Sequence, residues 1–169
     1  MSLSVLPEVS EMIFGNKKTI GFDFLDKSEK FININVFVSS KNISFQDNAY
    51  YIYPLILNLK KEIDFFTSNK LSLREGLENR NLSEIYDLFS NDGAAVYRDS
   101  KVCIDILYYD LSVKRAFFYA YQDGSDLIIL GRFFEQEELI SVRIKKIKYI
   151  DTLNQLLSNI EELSDIEIG

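Results

Sequence analysis

The chain has 169 residues and a formal charge of −7, from 19 basic and 26 acidic side chains, with no histidine and no tryptophan. That length suits one domain with a real core, and a hydrophobic fraction of 47% with 14% aromatics excludes disorder over most of it. Without histidine there is no Ser–His–Asp or Cys–His nucleophile, and with a single cysteine there is no structural zinc site.

The one cysteine, Cys103, rules out an internal disulfide framework and agrees with a reducing compartment. Its setting, Val102-Cys-Ile-Asp-Ile-Leu107, reads as that of a small buried hydrophobe rather than a nucleophile. No apolar run reaches the roughly 18 residues that a membrane helix needs. The start of the chain lacks a basic stretch followed by an apolar core, so no secretion signal is expected. A cytoplasmic protein with no membrane partner is the expectation.

Charge is unevenly spread. Residues 1–70 carry eight acids and eight bases, residues 71–111 eight acids and four bases, and residues 149–169 five acids and no base. Residues 112–148 are instead slightly positive, with seven bases and five acids. An acidic surface argues against nucleic acid as the main ligand and for a basic protein partner. For most acids taken singly, solvation of a helix surface is the simpler role.

In chain order, residues 1–11 form a loose arm without periodicity, and residues 12–169 are read as a single domain. Thr19 to Leu25 alternates Ile20, Phe22 and Phe24 with Gly21 and Asp23, as a half-buried strand does. Phe31 to Val38 repeats the pattern, with Ile32, Ile34, Val36 and Val38 on one face and Asn33 and Asn35 on the other. Ser39-Ser-Lys-Asn42 turns the chain, and Ile43 to Phe45 is read as a short third strand.

A helix is predicted over residues 54–68, with Pro54 at its first position and Leu55, Ile56, Leu59, Ile63 and Phe66 on one stripe. Ser72-Leu-Arg-Glu75 has the form of a capping box. Asn81-Leu-Ser-Glu84 caps a further helix with Ile85, Leu88 and Phe89 inward, and Asn91-Asp-Gly93 stops it. Ala94 to Arg98 and Val102 to Tyr109 read as additional strands.

Val113 to Lys146 then reads as three successive antiparallel strands. Arg115, Phe117, Tyr119 and Tyr121 share one face of the first, with Ala116, Phe118 and Ala120 on the other. Asp123-Gly124 signals a tight hairpin turn with positive φ. Asp126 to Phe134 is apolar on both faces, which suits a central strand covered on each side. In the last strand Ile140, Val142 and Ile144 alternate with Ser141, Arg143 and Lys145. An amphipathic helix beginning near Asp151 closes the chain, marked by Ile150, Leu153, Leu156, Leu157, Ile160 and Leu163. Strands and helices are segregated, so the expected fold is α+β, an antiparallel sheet of hairpins covered by amphipathic helices with a helix last.

Motifs for chemistry are scarce. Gly15-Asn-Lys-Lys-Thr19 lacks the glycine spacing of a phosphate-binding loop and precedes a strand where a helix is needed. Glu135, Glu137 and Glu138 have no calcium-loop context and read as a solvated hairpin end. No cofactor or metal is expected. Lys114 and Arg115 beside Phe117, Tyr119 and Tyr121 read as part of a strand packing into the core, not an RNA-stacking surface. A carboxylate enzyme needs only two acids, and it would show a cleft holding two of them with a strongly shifted pKa.

The run Met12-Ile-Phe-Gly15, followed at once by the strand around Ile20, Phe22 and Phe24, resembles the start of bacterial polymorphic-toxin immunity proteins. Among these it resembles immunity family 42, associated with contact-dependent growth inhibition. The resemblance continues through a second strand, the helix at 54–66 and an ending of hairpin, strand and amphipathic helix. It implies a non-enzymatic cytoplasmic inhibitor that binds the C-terminal toxin domain delivered by a neighbouring cell and occludes its active site or substrate surface. A toxin that cuts nucleic acid needs a basic surface, to which an acidic partner is steered. Contact is expected on the acidic helices around Glu78, Glu84, Asp87 and Asp92, or on the C-terminal face near Glu161, Glu162 and Asp165. The alternative is a self-associating, non-catalytic binding or scaffold module, forming a homodimer or larger oligomer through a strand edge or aromatic surface.

Overall fold

A computed structural model describes residues 12–44, 48–68, 77–91, 103–104, 116–133 and 136–164. The fold is α+β, as expected, but its strands form two antiparallel sheets where one was expected. The first sheet joins β1 (Met12–Gly15), β2 (Ile20–Lys27), β3 (Phe31–Val38) and β4 (Lys41–Asn42) in sequence order, with β5 (Ala49–Tyr51) also paired to β3. The second joins β6 (Cys103–Ile104), β7 (Ala116–Asp123), β8 (Asp126–Phe133) and β9 (Ile140–Lys145), again in sequence order. Helix α1 (Ile52–Ser68) and helix α2 (Leu82–Asn91) lie between the sheets in sequence, and α3 (Lys146–Ser164) follows β9 without a break.

Alternation places the core. Ile20 and Phe22 of β2 and Ile32, Ile34, Val36 and Val38 of β3 turn inward. They meet Phe118, Ala120, Leu127, Ile129, Ile140, Val142 and Ile144 from the second sheet, with α1 and α3 packed among them. The opposite face of the second sheet carries a separate cluster, in which Ile85, Tyr86 and Phe89 of α2 cover Tyr119, Tyr121, Ile128 and Leu130. Strand β8 is therefore apolar on both faces because helices cover both. The alternation read for β9 is found, and so is that of β7 from Ala116 on, except that Phe117, read as a core aromatic, is 43% exposed. Arg115 lies outside the described residues.

Both principal helices start before their expected positions. Helix α1 begins at Ile52, since that side chain is already on the buried stripe with Leu55, Ile56, Leu59, Ile63 and Phe66. Pro54 sits in the first turn, where a backbone donor has no intrahelical partner. Helix α3 begins five residues before Asp151, because its inward stripe starts at Tyr149 and continues through Leu153, Leu156 and Ile160. Asn81 and Glu84 form the expected capping box, Asn81 Oδ1 accepting from the Glu84 amide at 2.9 Å and Glu84 Oε2 from the Asn81 amide at 3.1 Å.

Turn chemistry sets the registers. Strand β3 reaches β4 through Ser39-Ser40, whose φ values of +51° and +67° are those of a type I′ turn without glycine. Pairing occurs at Lys41–Asn42 and not over 43–45; Ile43 and Ser44 form a turn, with Phe45 outside the described residues. The β7–β8 loop is Gly124-Ser125, one residue later than Asp123-Gly124, since Asp123 still pairs with Asp126. Gly124 alone has positive φ there, at +59°, which matches a type II′ turn. Residues in the left-handed region are strained unless glycine. Ser40→Gly is expected to stabilise the protein by about 0.5–1 kcal/mol, visible as a melting temperature higher by roughly 1–4 °C. An unchanged or lower melting temperature would show that the serine hydroxyl matters more than the backbone.

The arm at 1–11, the capping box at 72–75, the stop at Gly93 and the strand at 94–98 lie outside the described residues, as does most of 102–109 apart from β6. Among the described residues no helix is long and apolar enough to cross a membrane.

Candidate functional site

The second sheet carries a charge network on its α2 side. Directly paired residues share a face, and Arg143 pairs with Ile128 while Lys145 pairs with Asp126. Arg143 donates to Asp123 at 2.7 Å and to Asp126 at 2.9 Å. Lys145 donates to Asp126 at 2.6 Å. Hydrogen bonds from Lys145 and Arg143 hold the Asp126 carboxyl below the usual carboxylate range, and Asp123 and Asp126 in turn raise Arg143. Asp126 therefore shifts away from the neutral form that a general acid requires.

Two clefts flank this network. The larger, of about 520 Å³, lies between the β1–β2 turn at Gly15 and Asn16, the end of β9 at Arg143–Lys145, and Lys148, Asp151 and Gln155 of α3. The smaller, of about 420 Å³, is lined by Glu78, Arg80, Tyr121 and Asp123, and shares Arg143. The wall of the larger cleft is built around Gly15. At φ +76° a Cβ there would lie 2.4 Å from the Ile20 carbonyl oxygen and 2.8 Å from Thr152 Cγ2, so only glycine lets the turn approach α3.

The acids expected to face a partner are dispersed. Glu78 lines the smaller cleft. Glu84 is occupied as the cap of α2. Asp87 receives Arg132 Nη1 at 2.6 Å, while Arg132 Nη2 donates to Ser83 at 2.7 Å and its guanidinium lies 4.7 Å from the Tyr86 ring centre. Glu161 pairs with Lys60 at 2.9 Å, and Glu162 is exposed. Asp92 and Asp165 lie outside the described residues. Helix α2 covers one face of the second sheet and α3 packs in the core on the other. The two acidic groups are thus alternatives and not parts of one surface.

Sequence reasoning missed the clefts, although the excess of bases at 112–148 was visible. Arg143 and Lys145 read only as the solvent face of a strand. Among the described residues no group of three or more His, Cys, Asp or Glu side chains could hold a metal ion. Of the three glutamates read as a hairpin end, Glu138 pairs with Lys41 and Glu137 is exposed, while Glu135 lies outside the described residues.

Tyr86 and Tyr121 have their hydroxyl ionisation pushed above the ordinary tyrosine range, chiefly because burial between α2 and the second sheet disfavours the phenolate. The unfolded chain releases these protons first. Their contribution to stability is complete below the unfolded value of ~10 and is lost as pH rises through the higher folded value. Denaturant stability is expected to fall as pH rises above about 10, and the double variant Tyr86→Phe/Tyr121→Phe to flatten that fall. An equally steep fall in the variant would assign the alkaline loss to other groups.

Comparison with known protein families, with curated proteins and with solved structures finds no match.

Proposed function

We propose that this chain is an immunity-type protein that binds a cognate antibacterial toxin domain and neutralises it by covering its active site or substrate surface, without turnover. The observation that carries the reading is charge: a net −7 on a chain without histidine, with acids concentrated at 71–111 and 149–169. Such a surface steers association with a basic toxin, as one acting on nucleic acid would be, and rejects wrong partners. The resemblance at Met12–Gly15, the residues of β1, supports the same reading. An inhibitor of this kind needs no cofactor and works in the cytoplasm, where the toxin acts.

The test is co-expression with the protein encoded immediately upstream, scored by growth rescue and by co-purification at low and high salt. Rescue with a salt-weakened complex supports the inhibitor; neither rescue nor complex removes it. For mapping, Glu162→Lys changes an exposed side chain and is expected to weaken the complex roughly two- to five-fold at low salt without changing thermal stability. An unchanged affinity would move the contact away from the α3 face. Asp87→Lys is a poor probe, because it strands Arg132, whose Nε is buried without a partner.

A self-associating module is the second reading. It is favoured by Tyr51 and Tyr53, 51% and 56% exposed where β5 enters α1, with the Tyr51 ring centre 4.3 Å from that of Phe31. A stable oligomer formed without any toxin would select it.

A further inference from the structure

Strand β9 ends its sheet: β8 is hydrogen-bonded on one side, and among the described residues no strand is hydrogen-bonded on the other. Which of its backbone groups face the open side follows from one bond. The Lys146 amide donates to the Ser125 carbonyl at 3.0 Å, so the bonded pairs with β8 alternate from there through Ile144↔Leu127 and Val142↔Ile129. The N–H and C=O groups of Ser141, Arg143 and Lys145 therefore point to the open edge, and none of the described residues takes them. The edge at Arg143 and Lys145 opens into the larger cleft, of about 520 Å³.

Proteins commonly shield such edges with charged side chains. Here the shield is turned aside: the Arg143 and Lys145 heads are held by Asp123 and Asp126 over the α2 face of their own sheet. The cleft they line carries three basic residues, Arg143, Lys145 and Lys148, against one acid, Asp151. Lys148 is exposed and pairs with no acid among the described residues. We propose that this cleft takes an extended acidic peptide segment, which pairs with the open edge of β9 as an added strand while a carboxylate meets Lys148. A second copy of the chain is a poor occupant. Antiparallel pairing of two β9 edges brings no carboxylate to Lys148, since Ile140–Lys145 contains none.

The inference stands apart from the inhibitor reading, because its test needs no toxin. The probe is a fluorescein-labelled, end-blocked heptapeptide of alternating glutamate and valine, titrated against the full chain and followed by anisotropy. Two control peptides carry lysine in place of glutamate, or N-methyl groups along one backbone edge. Saturable binding of the glutamate peptide is expected, with slowed hydrogen exchange at the Arg143 amide. Lys148→Glu, a change at an exposed side chain, is expected to weaken it roughly two- to five-fold, and N-methylation to abolish it. Absent binding, equal binding of the lysine or N-methylated peptide, or unchanged exchange at Arg143 on binding overturns the proposal. Concentration-dependent protection of Arg143 without peptide also overturns it, by assigning the edge to a second copy.

Discussion

Tyr149→Ala is expected to cost about 4 kcal/mol of stability, a large part of what a domain of this size possesses. The ring is fully buried and meets Phe66 edge-on at 5.3 Å between centres, which locks α3 against α1. Its hydroxyl donates to Glu62 of α1, so the same side chain supplies packing and a polar anchor. Tyr149→Phe separates the two and is expected to lose only about 0.5–1.5 kcal/mol, the contribution of a hydrogen bond. Urea denaturation of both variants checks the pair. An alanine variant within 1.5 kcal/mol of the parent, the scale of one hydrogen bond, would show that the helix pair is held elsewhere.

The second large effect comes from adding a single methyl group. Gly131 faces Phe118 across β7 and β8, and a Cβ at Gly131 would lie 2.3 Å from two carbons of that ring. Phe118 is 1% exposed and enclosed by the main core, so it cannot swing away. Gly131→Ala is expected to destabilise by about 2–3 kcal/mol through overpacking, outweighing the roughly 0.5–1 kcal/mol that alanine gains from reduced freedom of the unfolded chain. Phe118→Leu frees space at the clash, so the double variant is expected to lose less than the sum of its parts. Strict additivity would show that the ring does not set the limit.

Much of the second sheet was legible because its signals are local. The alternation in β7 and β9 and the two-sided apolar run in β8 reflect burial that each residue carries in its own type. The Asn81–Glu84 cap closes within four positions. Pairing between distant segments is not encoded that way. The division into two sheets depends on which face meets which helix, and period-two alternation is the same in either arrangement. Strand β1 is four residues long, too short to show a period.

The candidate site was legible only in part, for the same reason. Glu84 and Asp87 read equally well as acids free to meet a partner. Arg132, which binds Asp87, lies 45 residues away in sequence, so nothing near α2 announces the pairing. The edge of β9 depends on no strand among the described residues pairing with it, which no residue of β9 records. The excess of bases around it was the available hint, and it became meaningful once the turn at Gly15 closed the opposite wall.

The packing of α3 against β1 and β2 has a consequence for how the protein is made. Gly15 lies beside Thr152, more than 130 residues further along the chain. During synthesis, at roughly 5–20 residues per second, the first sheet leaves the ribosome with only α1 to cover its inner face and waits for α3 to be translated. The β7–β9 meander can form as it emerges, because its strands are neighbours in sequence. The first sheet cannot be sealed until Ile160 has been added. For some seconds each new molecule shows chaperones a partly covered row of isoleucine, valine and phenylalanine, and any role it has toward a partner begins only after translation.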